Sequence, residues 1–129
     1  MFNRRPRPPR LIRTPEQRQR LHARVHGLMI AAWGIWVALF GARNFAAPAF
    51  AAFGSLPHWT WGLSAAALGA AITAMASSRR AMAIRAPGVL ATMAWAIIAA
   101  LIFIGDFRTT GVPIYGGLAI YAYAVMVRE

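Results

Sequence analysis

Four apolar stretches, at 27–42, 59–77, 87–105 and 111–127, take up most of the chain and are separated by only three short breaks. A soluble domain of 129 residues, 59% of them hydrophobic, has too little interior to hide that much apolar surface. The bilayer is the solvent that suits it. A helix rises about 1.5 Å per residue, so each stretch reaches most of the way across a hydrocarbon core of roughly 30 Å, and flanking Trp, Tyr and Arg extend the reach. The pattern predicts an all-α, polytopic membrane protein. Residues 1–13 form a disordered basic arm and 14–129 a transmembrane domain of four helices.

Arginine placement tests that layout independently. Fourteen arginines and no lysine are present, and eight of the arginines lie before residue 25. With four spans, one side of the membrane receives those eight together with Arg79, Arg80, Arg85 and Arg128. The other side receives Arg43 and Arg108. Twelve against two is a positive-inside signal that places both termini in the cytoplasm, in a multi-pass protein of the inner membrane.

The arm, "MFNRRPRPPRLIR", mixes Arg4, Arg5, Arg7, Arg10 and Arg13 with three prolines and reads as an extended, solvated segment. Each arginine near an anionic surface contributes about 1 kcal/mol, so anionic lipid is its expected partner. Nucleic acid is not, because no aromatic residues interleave with the arginines and no fold surrounds them. The paired Arg4 and Arg5 would suit a twin-arginine export signal, but proline follows where that signal wants apolar residues. "TPEQ" at 14–17 is a helix start: Thr14 caps, Pro15 occupies the first helical position and Gln17 completes a capping box. A secretory reading competes at Ala49-Phe50-Ala51, an A-x-A pattern after an apolar stretch, but the leader is too long and Arg43 and Asn44 interrupt it. The first loop, broken by Pro48, Gly54 and Pro57, is expected along the membrane interface, with Phe45, Phe50 and Phe53 dipping into lipid.

The first span carries the clearest packing information. Gly27, Ala31, Gly34, Ala38 and Gly41 recur at spacings of four and three, and at about 100° per residue they share a narrow strip. Met29, Trp33, Trp36 and Phe40 repeat the spacing on the bulky opposite side. Gly62, Ala66, Gly69, Thr73 and Ala76 form a second small-residue strip. Flat faces let two backbones approach in lipid, either inside one bundle or between subunits, and a homo-oligomer or a membrane-protein partner is expected.

Chemistry is poorly supplied. Without cysteine there are no disulfides or thiolates, and three acids and three histidines leave little for a catalytic site, so no enzyme activity and no cofactor are expected. Asp106 ends the third span beside Arg108 and reads as a turn residue in an outer-side charged pair. Carboxylates that relay protons sit deeper. His22 and His26 share a helical face, as a metal pair requires, but lack a third ligand. Trp59, Trp61, Tyr115, Tyr121 and Tyr123 read as belt anchors, with a quinone or pigment pocket as the alternative.

In size, span count, small-residue faces and lysine-free composition, the chain resembles the small arginine-rich membrane proteins of actinobacterial phages, some of them holins. That resemblance implies self-association through helix faces and permeabilisation of the inner membrane. Many holins carry their charged tail at the C-terminus, whereas here it is N-terminal. Small multidrug-resistance transporters share the length and helix count, but depend on a glutamate in the first helix, where residues 27–42 hold no ionisable group. A non-enzymatic accessory or assembly subunit of a membrane complex is the alternative, and a transporter stands third.

Overall fold

The computed structural model describes residues 14–54, 56–78, 85–106 and 108–128. It is all-helical among those residues: α1 (Pro15–Asn44), a 3₁₀ helix (Pro48–Phe53), α2 (His58–Ser77), α3 (Ala86–Gly105) and α4 (Gly111–Met126). The five arm arginines Arg4, Arg5, Arg7, Arg10 and Arg13 lie outside the described residues, as do Arg79 and Arg80.

Each helix begins and ends for local reasons. Gln17 N–H donates to Thr14 Oγ1 while Thr14 N–H donates to Gln17 Oε1, a reciprocal capping box with Pro15 behind it. Pro87 and Pro113 fall in the first turns of α3 and α4, where a missing N–H leaves no broken bond. Asp106 leaves α3 in an extended conformation while its N–H still reaches Ile102 O. The hydroxyls of Thr73, Ser77 and Thr92 each donate to a carbonyl four residues back, so they need no partner from outside their helices.

Three helices, α1 to α3, are long and apolar enough to cross a membrane. At 16 residues α4 is apolar but shorter, about 24 Å long, and it runs back along α3. Leu39, Ile104 and Ile120 are about 70% exposed on the outside of the bundle, which suits an apolar solvent.

Two antiparallel hairpins make up the fold. In the first, the small-residue strip of α1 lies on the strip of α2. A Cβ added to Gly34 would run into Ala66 N and sit 2.6 Å from Gly62 O; one added to Gly62 would run into Ala38 N and sit 2.6 Å from Gly34 O. Gly69 opposes Ala31 in the same way, Gly27 opposes Thr73, and Gly41 abuts His58. The two backbones are in direct contact, and only hydrogen fits between them. In the second hairpin the start of α3 meets the end of α4, where a Cβ on Gly88 would lie 2.6 Å from Met126 Cβ.

Helix α1 buries a second face. Gln19, Ala23, His26, Ile30 and Val37 are all nearly inaccessible and are displaced around the helix from the glycine strip. Both α3 and α4 contact α1, and α3 also touches α2 and the 3₁₀ helix. The 3₁₀ helix packs under the end of α3, where a Cβ on Gly105 would lie 2.6 Å from Ala49 O.

That contact corrects the reading of the first loop. Phe53 is buried rather than dipped into lipid, its ring is 5.2 Å from Trp61, and Trp61 Nε1 donates to Phe53 O at 2.9 Å. Phe45 stacks on Phe50 at 5.2 Å and meets Phe53 edge-on. The three rings pack on one another, and Phe53 is received by protein rather than lipid, while Phe45 and Phe50 stay half-buried.

Gly34→Leu should therefore destabilise the chain by about 3 kcal/mol, because the new side chain meets backbone that cannot move aside. Trp36→Leu, on the exposed side of the same helix, should stay within about 0.5 kcal/mol of the original. Thermal unfolding in detergent, followed by helical circular dichroism, measures both. Equal losses would mean that the strip does not hold the hairpin.

Candidate functional site: a histidine–aromatic seam between the hairpins

The polar side chains in the interior gather where α1 faces α3 and α4. His26 comes from α1, Trp95 from the middle of α3, and Tyr115 and Tyr121 from successive turns of α4. Trp95 Nε1 donates to His26 Nδ1 at 3.0 Å, with His26 2% exposed and Trp95 equally buried. An indole N–H can only donate, so His26 Nδ1 is unprotonated and the imidazole carries its proton on Nε2. Protonating Nδ1 would remove the acceptor and break the bond.

Around that bond the rings form a continuous seam. Tyr121 lies against His26 with centroids 5.8 Å apart and meets His22 edge-on at 5.8 Å, its hydroxyl 3.4 Å from His22 Nδ1. Tyr115 stacks on Trp95 at 5.7 Å and accepts a hydrogen bond of 3.1 Å from Trp33 Nε1. Each polar contact joins α1 to the second hairpin. In an apolar surrounding such bonds fix which helices pair and in what register, since the alternative is a polar atom left in hydrocarbon.

Several residues singled out in the sequence lie elsewhere. Gly27, Ala31, Gly34, Ala38 and Gly41 form the contact with α2 and are turned away from the seam. Asp106 sits at the opposite end of the bundle. Its Oδ1 accepts from the backbone N–H of Arg108 at 3.0 Å, and Thr109 Oγ1 donates to Asp106 O at 3.2 Å. The expected charged pair is thus joined through backbone in an Asx turn, and the carboxylate organises the α3–α4 connection. His22 and His26 share a face but are engaged by Tyr121 and Trp95. Among the described residues no group of three or more potential metal ligands comes together. Tyr115 and Tyr121 are seam residues as well as ring-bearing anchors, and Trp33 belongs to the seam rather than to the outward bulky face. The signal that would have found them is the stripe 19, 23, 26, 30, 37, a second heptad-spaced row on α1 in which a histidine takes a core position.

A cycle of His26→Phe, Trp95→Phe and the double variant checks the bond. Each single change leaves a polar group or a packing defect and should cost about 1–3 kcal/mol. The double variant should lose less than the sum, with a coupling of about 1 kcal/mol as found for hydrogen bonds between membrane helices. Additive losses in detergent unfolding would show that the two rings merely adjoin. Compared with protein-family models, curated proteins and solved structures, the chain matches none.

Proposed function

We propose that the chain is a four-span protein of the inner membrane, with both termini in the cytoplasm, that acts by packing helices rather than by catalysis, in the manner of a holin. The observation that carries the reading is the contrast between the two joints. Within the α1–α2 hairpin backbone lies on backbone. Between the hairpins, contact between the four long helices is thinner and is pinned by a few polar bonds, with the 3₁₀ helix packed under α3. A bundle of this kind can part into hairpins that pair again with other copies, since the face of α1 that meets α3 and α4 fits the same helices of any copy. Accumulated copies exchanging hairpins would open the bilayer, and the lipid-binding arm would hold them at the cytoplasmic surface.

Grouping of the helix ends supports the orientation. Arg20 Nη1 donates to Ser78 O, and Gly88 abuts Met126, so the start of α1, the end of α2, the start of α3 and the end of α4 share one end of the bundle. Arg18, Arg20, Arg24, Arg85 and Arg128 belong to that end, while Arg43 and Arg108 flank the other. The accessory-subunit reading is favoured by a different fact. The α1 strip is already covered by α2, whereas Gly116 and Gly117 on α4 face open space where a partner helix could lie.

Topology is testable because the native chain lacks cysteine. Ser78→Cys and Thr109→Cys, expressed singly in spheroplasts, should react with an impermeant maleimide only at position 109. Labelling of both, or of position 78 alone, would sink the four-span arrangement.

Lysis tests the action. Expression with a cytoplasmic endolysin should end in abrupt loss of turbidity, and Gly34→Leu should delay or abolish it while Trp36→Leu does not. Good accumulation of the native chain without permeabilisation would remove the holin reading and leave the accessory subunit in its place.

A further inference from the structure

Beside the seam, on the side of the 3₁₀ helix, the bundle contains a cleft of about 150 Å³ between α1, α2 and α3. Its floor is buried: Ile30, Phe53, Ala94 and Ile98 are each less than a tenth exposed. Its mouth lies between α2 and α3, at Ser64 and Ile97, both of which are exposed. The cleft exists because Ala65 and Ala94 stand in its walls where larger side chains would meet.

The walls state what chemistry can enter. Two indoles line the cleft, but Trp33 Nε1 is spent on Tyr115 and Trp61 Nε1 on the carbonyl of Phe53. That leaves one hydroxyl, Ser64, at the mouth. A quinone or another guest carrying carbonyls would lose its hydrogen bonds on entering, whereas hydrocarbon would lose nothing. Ser64 and Ile97 lie well inside helices that are long enough to cross a membrane, so the mouth opens at a depth where lipid tails are the available solute. Cavities of about 150 Å³ walled by aliphatic residues hold a guest of benzene size, and the last few carbons of an acyl chain match that volume. Left empty, the walls would forfeit their dispersion contacts.

We propose that this cleft is a seat for the end of a phospholipid acyl chain, entering between α2 and α3 and resting against Trp33, Trp61 and Phe53. The inference rests on the membrane reading given above, though not on holin action. The seated chain fills a gap in the joint between the hairpins, so the lipid becomes part of the packing there.

The test uses the full chain carrying Trp36→Phe and Trp59→Phe, which remove the two most exposed indoles, in nanodiscs of phosphatidylcholine. Replacing that lipid with phosphatidylcholine brominated in the middle or lower part of its chains should quench the remaining emission strongly. Ala65→Phe, which fills the cleft, should lower that quenching at least twofold. Ser64→Phe closes the mouth from the exposed side and should do the same, giving a second reading if Ala65→Phe fails to fold. Helical circular dichroism and flotation with liposomes accompany each variant. Quenching unchanged in a folded, floating variant would mean that lipid touches only the outer surface, and would overturn the seat while leaving the membrane reading intact. Parent protein that remains at the bottom of the flotation gradient would overturn both.

Discussion

The absence of side chains along one strip of α1 is the constraint on which the rest of the structure depends. Gly27, Gly34, Gly62 and Gly69 sit where any Cβ would strike the opposing backbone, so α1 and α2 approach as closely as two helices can. Lipid tails are as apolar as leucine, and helix association in a bilayer gains little from the hydrophobic effect. Close van der Waals contact along the strip, with Cα–H groups directed at facing carbonyls, is the attraction that remains. Once α2 occupies that strip, the neighbouring face of α1 is left to meet α3 and α4. The placement of His26 and Trp33 follows, and with it the seam.

Much of this was legible in the sequence. The expected spans 59–77, 87–105 and 111–127 agree with α2, α3 and α4 to within a residue at each end, because proline, glycine and polar residues mark the boundaries. Thr14 and Gln17 announced the start of α1. The strips of α1 and α2 could be read from their spacing alone. Their pairing with each other could not, since the same pattern serves a contact between copies equally well.

What remained hidden has a common physical cause. In a helix with a polar side the buried face declares itself by being more apolar than the exposed one, but these helices are apolar on their exposed faces as well. Ile30 and Val37 are buried while Ile35 and Leu39 are exposed, and nothing in their chemistry tells them apart. Glycine is equally ambiguous. Gly88 and Gly105 admit a close neighbour, whereas Gly116 and Gly117 meet none within 4 Å. Phe53 was misplaced for the same reason, since a phenylalanine suits a lipid interface and a protein core alike. Polar atoms are the exception: they carry information because they need partners. Sequence spacing makes His26 only half of a metal pair without a third ligand, and the structure shows that Trp95 partners it instead.

The contacts within and between the hairpins differ in kind. Backbone-to-backbone contact in the α1–α2 hairpin is spread along about four turns of α1 rather than held in single bonds. The hold of α1 on α3 and α4 is different, because it includes the separate His26–Trp95 and Trp33–Tyr115 bonds, each worth about 1 kcal/mol between helices in an apolar surrounding, while the 3₁₀ helix packs under α3. Beside it the cleft removes side-chain contact that would otherwise have joined α2 to α3. Inside each hairpin the helices touch along their length, whereas between the hairpins the contact is divided among polar bonds from α1, the 3₁₀ helix under α3 and the walls of the cleft.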